Sequence, residues 1–200
     1  QVLNFNFFHI KSSNITYVNG PFEDKEIKIK NFDEYKKILR QSNIELDHKQ
    51  RELNIRTKLE ELLKRNKCST DLSSRLVEEV VNLVENPIIL KGKFNKEYLD
   101  LPDELLNLTM IHHQRYFPMK LETDNKLINN FLFVANNFDN KNLITQGNEK
   151  VINARLSDAK FFWDKNKKQS LVKQVTKLNS IVFYQKLGSL YDKTQRVRQL

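Results

Sequence analysis

Cysteine is nearly missing: Cys68 is the only one in 200 residues. An internal disulfide is therefore impossible, and so is a zinc cluster built on cysteines. Glycine and proline are almost as scarce, at four each. Loops should be short, and a glycine-rich phosphate cradle is nearly excluded. Neither GxxxxGK nor the GxSxG elbow occurs. No long uninterrupted apolar run is present, so no membrane span is expected, and Gln1 opens no signal peptide. These absences point to a reducing, cytoplasmic setting. The chain begins on Gln1, and its last stretch, LYDKTQRVRQL, stops on an unfinished helical pattern. Both features suggest a segment from the middle of a longer protein.

What is present suits a folded chain. Hydrophobic residues make up 39% and charged residues 30%, enough to bury a core in one large domain or two small ones. The formal charge is +9 with a pI near 9.5, which favours an anionic partner. Asn, Lys, Ile and Phe are abundant at the expense of Gly, Ala and Pro. That bias also fits an AT-rich genome, so single lysines carry little weight.

The first thirty residues alternate as strands do, at Leu3, Phe5 and Phe7, then Ile15 and Tyr17, then Ile27 and Ile29. Asn19-Gly20 suits a tight hairpin turn, although Pro21 removes a donor where the ladder would resume. Helices follow. Asn31 with Glu34 and Asp47 with Gln50 both fit capping boxes, the second ahead of Leu53, Leu59, Leu62 and Leu63. This second helix should end near Lys64–Asn66. A third helix should place Leu72, Leu76, Val80, Leu83 and Val84 inward and stop at Pro87. PIILKGKF reads as a strand. Pro102, Asp103 and Glu104 open another helix carrying Leu105, Leu108 and Ile111. RYFPMKL then extends, and NFLFVANN, apolar throughout, should be a strand buried on both faces. From Gly147, with Asn148 as cap, the chain should be helical to its end. Ile152, Leu156, Ala159 and Trp163 form one stripe, and Leu171, Val175, Leu178 and Val182 another, with Gly188 breaking off the last helix. The fold class is therefore α+β: N-terminal strands and a hairpin, helices on a small mixed or antiparallel sheet, and a helical C-terminal part. The expected parts are 1–66, 67–146 and 147–200.

MIHHQRYFPM, residues 110 to 119, is the densest cluster of functional side chains. His112 and His113 are adjacent and point in different directions, so they lack the i, i+4 spacing of a zinc-binding helix. One should face the core, hydrogen-bonded, and the other solvent. Serines and aspartates without spacing specify no triad, so no catalytic residue is assigned. Arg115, Tyr116 and Phe117 could stack on bases and hold phosphate. The plainer alternative has the two aromatics alternating between core and surface while Arg115 pairs with a carboxylate. GNEKVINARLSDAKFFWDKNKK is the better RNA candidate. Lys150, Lys160, Lys165, Lys167 and Lys168 cluster there, and lysines near phosphates gain from counterion release. Arg155 and Asp158, at i, i+3, could instead pair with each other.

Five ordered strings, LVENPIILKGKFNKEYLDLP, HHQRYFP, FLFVANN, GNEKVINARLSDAKFFW and VFYQKLGSLYDKTQRV, resemble the β subunit of bacterial heterotetrameric glycyl-tRNA synthetases. The resemblance is strong over about Leu76 to Arg198 and looser before that, and Ser13 to Pro21 depart from the family's pattern. It implies a division of labour. The α subunit holds the class II core where glycine and ATP react, with magnesium expected there, and the β subunit grips the tRNA for glycine, in a cytoplasmic tetramer of two α and two β chains serving protein synthesis. This segment would bind no cofactor itself. Its tRNA-binding and scaffolding role would use Arg115 as a positioning cation and Lys150, Arg155 and Lys160 as backbone contacts. An editing-like hydrolase around His112 and His113, by analogy with the phenylalanyl enzyme's β subunit, and a purely architectural domain are the alternatives.

Overall fold

A computed structural model describes residues 3, 5–18, 25–72, 74–168 and 170–200. The chain falls into two compact units, Gln1–Asn153 and Ala154–Leu200.

The first unit opens with two short antiparallel pairs, β1 (Asn6–Phe7) with β2 (Ile10–Lys11) and β3 (Ile15–Val18) with β4 (Lys25–Lys28). The turn expected at Asn19-Gly20-Pro21 lies outside the described residues. Helix α1 (Phe32–Gln41) starts on Asn31, whose side chain accepts the Glu34 N–H at 2.9 Å. The Glu34 carboxylate reaches one residue further back than a capping box requires, to the Lys30 N–H at 2.6 Å. Helix α2 (His48–Asn66) is capped by Asp47, which accepts from Lys49 at 2.9 Å. Gln50 does not complete the box, because its amide bonds Asn54 instead. The buried stripe of α2 is Ile55, Leu59 and Leu63, spaced by four. Leu53, expected inward, is 57% exposed, since a residue two positions from Ile55 falls on the far side of a helix. Lys67, in the left-handed region at φ 52°, ends the helix close to where the charge pattern predicts.

Next come β5 (Cys68–Ser69), α3 (Ser74–Val81), β6 (Ile88–Lys93), α4 (Asp103–Asn107), β7 (Phe117–Leu121) and β8 (Leu127–Ala135). The four strands form one antiparallel sheet in the order β5-β7-β8-β6. Ile55, Leu59 and Leu63 of α2 and Leu76, Val77, Val80 and Val81 of α3 pack with Phe117, Met119 and Leu132 of the sheet. Along β8 side chains alternate, so Phe131 and Phe133 turn to the opposite face, where Tyr116 stacks on Phe131 at 4.6 Å between centroids. Phe131, Leu132 and Phe133 are all buried, as their unbroken apolar run predicts. Gly92, opposite Phe131 in the ladder, is needed there: a Cβ would stand 2.5 Å from the phenyl ring. Helix α3 stops well short of Pro87, and Leu83, expected inward, lies past its end at 69% exposure.

The helical run after Pro102 changes pitch. Pro102 is the N-cap of α4, and Leu108–His113 continue as a π-helical turn. Met110 follows Leu106 at i+4, on one face of the helical run, and both are fully buried. Leu108, placed inward by a regular period, is exposed.

Helix α5 (Leu143–Lys167) begins four residues before Gly147, the start its sequence suggests. Asp139 supplies the cap by accepting the N–H groups of Ile144 at 2.9 Å and Thr145 at 2.8 Å. Asn148, expected to be the cap, sits inside the helix and bonds Tyr116 and the Ile144 carbonyl.

The second unit holds the rest of α5, then α6 (Leu171–Val175), a 3-10 turn (Thr176–Ser180), a β-ribbon of β9 (Val182–Tyr184) and β10 (Gly188–Ser189), and α7 (Leu190–Arg198). The helical stripe expected through Leu171, Val175, Leu178 and Val182 is not formed. Val182 is in a strand, and Leu171 is 84% exposed. Gly188, at φ +79°, directly precedes the Ser189–Asp192 capping box that starts α7. Among the described residues, no helix is long and apolar enough to cross a membrane.

Candidate nucleic-acid interface

HHQRYFP is the joint between the π turn and β7. Arg115 is left-handed at φ 59°, with its N–H on the Ile111 carbonyl at 3.2 Å, and the Tyr116 N–H returns to Met110 at 2.9 Å. The Arg115 Nε sits 2.8 Å from one Glu79 oxygen, and its Nη1 donates to the His112 carbonyl. The other Glu79 oxygen takes Arg75 at 3.2 Å. One carboxylate thus serves two guanidinium groups, and the cluster keeps a positive excess. Its members are partly exposed, so each pair contributes little stability.

Two expectations for the joint need correction. Tyr116 and Phe117 do not alternate between core and surface, because helices cover both faces of the sheet there and both rings are buried. Neither histidine faces the core: both lie exposed on the last turn of the π helix. The Tyr116 hydroxyl donates to Asn148 at 2.6 Å, and burial pushes its pKa up to about 12.

Beside the joint, wholly within the first unit, lies a cleft of about 540 Å³. His113, Gln114, Arg115 and Tyr116 line one side, Phe133 and Asn136 another. Asn136 holds the loop ahead of β6 by accepting the N–H groups of Glu85 at 2.8 Å and Asn86 at 2.9 Å. Among the described residues no serine, cysteine or carboxylate lines the cleft next to His113. Nor are any three His, Cys, Asp or Glu side chains among them grouped to hold a metal.

The other basic candidates lie on α5, except Lys168, which directly follows its last residue. Arg115 and Lys150 belong to the first unit; Arg155, Lys160, Lys165, Lys167 and Lys168 belong to the second. Within the second unit Leu156 is buried, with Ala159 and Trp163 half-buried on the same side. At about 100° per residue Arg155 and Lys160 flank that stripe on opposite sides, whereas Phe161 and Lys165 project away from it. Lys160 pairs with Asp164 at 3.3 Å, and no ion pair joins Arg155 to Asp158 among the described residues. The basic groups therefore ring the helix rather than share one face. Two aromatics that residue typing left unassigned stand among them. Phe161 and Phe162 are 62% and 59% exposed, edge to face at 5.4 Å, with the Lys165 ammonium 5.8 Å from the Phe161 ring. The string FFW was the available signal, since only its Trp fits the buried stripe.

The sequence model of the glycyl-tRNA synthetase beta subunit family matches residues 1–200. The chain belongs to that family. It is 37% identical over 201 residues to the glycine–tRNA ligase beta subunit of Rickettsia peacockii, covering all of this chain and 30% of that protein. It is 39% identical over 175 residues to that of Dictyoglomus thermophilum, covering 87% of this chain and 25% of the relative. The chain thus spans about three-tenths of the length of such relatives.

Several of the β-subunit strings do structural work in this fold. FLFVANN is the central strand and the Asn136 clamp. In GNEKVIN, Glu149 accepts the Lys93 N–H at 3.0 Å and Asn153 the Asn95 N–H at 2.9 Å, tying α5 to the end of β6. These acceptors, rather than the neighbouring lysines, set the docking of the helix in the first unit.

Proposed function

We propose that this part of the glycyl-tRNA synthetase β subunit is a non-catalytic tRNA-holding and scaffolding segment. In this reading the α subunit performs the ATP- and magnesium-dependent joining of glycine to its tRNA, in a cytoplasmic tetramer of two α and two β chains. The observation that carries it is the exposed array of Arg155, Lys165, Lys167 and Lys168 with Phe161 and Phe162 on and directly after α5. Mobile ammonium groups meet phosphates whatever the sequence, and exposed rings accept unpaired bases. Lys150 and Lys160 add backbone contacts. Arg115, held by Glu79, is a positioning cation rather than a free one.

The test is tRNA binding by the whole β chain with its α partner, across salt concentrations. Charge reversal at Lys165, Lys167 and Lys168 should weaken binding to tRNA and lower the slope of log affinity against log salt by about one for each phosphate left without its lysine. An unchanged slope and affinity would remove this end of α5 from the interface. The α chain should retain its reaction with glycine and ATP in the presence of the variant β chain, while transfer to tRNA falls.

A further inference from the structure

We propose that the cleft at the π-turn joint receives an unpaired nucleotide, its base edge against Gln114 and Asn137 and its phosphate toward Arg115. The proposal rests on the tRNA-holding reading and adds a defined subsite to it. A volume of about 540 Å³ suits a small planar ligand. The lining includes apolar Val80, Val84 and Phe133, all three almost wholly buried. The rim is amide-rich, and its chemistry is uncommitted: the side chains of His113, Gln114 and Asn137 make no hydrogen bonds among the described residues. A carboxamide carries a donor and an acceptor side by side, which matches the paired groups on a base edge. Arg115 supplies the one full charge on the described lining. Its Nε and Nη1 are taken by Glu79 and the His112 carbonyl, leaving Nη2 for an anion. Glu79 offsets part of that charge, and Arg75 on the same carboxylate restores it.

The backbone gives the arrangement its cause. The π turn followed by a left-handed residue brings four consecutive side chains, His113 to Tyr116, onto one cleft, which neither a regular helix nor a strand can do. The left-handed conformation of Arg115 ends the helical run, as that of Lys67 ends α2. Neither Tyr116 nor Phe133 is a stacking platform, because both rings are buried and packed on Phe131 and on each other, so recognition falls to the rim amides.

The experiment uses the whole β chain with its α partner and two probes, a 4-thiouridine-containing single-stranded oligoribonucleotide and free 5′-AMP. Cross-links should map to the peptides holding His113–Tyr116 or Asn136–Asn137. The double variant Gln114→Leu/Asn137→Leu should lower oligoribonucleotide affinity about tenfold, as loss of two hydrogen bonds implies. Ala135→Phe, which fills the cleft from β8, should abolish the cross-link. Cross-links confined to other segments, or both variants binding like the parent, would overturn the proposal while leaving the α5 lysine reading intact. The reverse pattern, loss of salt-sensitive tRNA binding in the lysine variants without loss of the cleft cross-link, supports both. Competition by 5′-AMP as effective as that by RNA would keep the nucleotide site and assign it to a free nucleotide instead.

Discussion

A single hydrogen at position 92 allows the Phe131 ring to lie flat against β6. Gly92→Ala should therefore destabilise the fold by about 1–3 kcal/mol, because a buried ring flanked by Tyr116 and Phe133 has nowhere to move. Gly147 predicts the opposite. It lies inside α5 with nothing within 4 Å of where a Cβ would stand, so Gly147→Ala should add about 0.5–1 kcal/mol through helix propensity alone. Denaturant titration of the pair checks both signs in one assay. Tyr116 makes a pH prediction. Its folded pKa, pushed up to about 12, exceeds that of an unfolded tyrosine, so burial of the neutral phenol is fully favourable below the unfolded value. That contribution declines once the unfolded value is passed and is gone as pH rises through about 12. Absorbance at alkaline pH should show one tyrosine ionising late, and Tyr116→Phe should remove it. The same substitution should cost about 0.5–1.5 kcal/mol through the bond lost to Asn148.

At the scale of elements, the start of α5 and the π turn carry the tests. Desolvation alone would raise the Asp139 carboxyl, but hydrogen bonds from Thr145, Ile144 and Leu143 outweigh it and hold the group below the usual carboxylate range. The cap is therefore at full strength above the unfolded carboxylate value and weakens as pH falls through the lowered one. Asp139→Ala should lower the denaturation midpoint at neutral pH and change it little in strong acid, where the wild-type cap is already protonated. A double-mutant cycle on Glu79 and Arg115, which ties α3 to the joint, should give a coupling below about 1 kcal/mol, since both groups are partly exposed. Where local signals act alone, the elements were legible. Asn31 and Asp47 are the caps their residue types predict, and β8 is buried on both faces as its apolar run implies. Where an element depends on distant chain, legibility ended. Asp139 caps α5 across three intervening residues, while Gly147-Asn148 imitates a boundary from inside the helix. The inward face runs through Leu106 and Met110 at i, i+4 rather than through Leu105 and Leu108 at i, i+3, a choice between two regular stripes that the residue pattern alone does not make. In the tail, Gly188 was a true signal of the last helix, but the ribbon before it follows an apolar spacing that equally suits a helix. Of the candidate interface, the lysines were legible as types. The cleft was not, because it joins residues 80–84, 113–116 and 133–148 that only the sheet order brings together.

At the scale of the molecule, the net charge of +9 is the simplest quantity to test. On the proposed tRNA-holding role, this segment's contribution to tRNA association should fall as salt rises, while a protein partner docked through uncharged surface would show a shallow response. The sheet has a further consequence. The inner strand β8 is the last of the four to be synthesised, whereas α2, α3 and β5 precede it, with 57 residues between the end of β5 at Ser69 and the start of β8 at Leu127. Until that strand leaves the ribosome, the apolar sides of two helices meet only the β5–β7 part of their floor, and β6 has no neighbour. Such non-local pairing slows folding and leaves a sticky nascent intermediate. Ribosome-bound chains truncated before Leu127 should accordingly recruit chaperones and yield to protease, and those extended past Ala135 should resist.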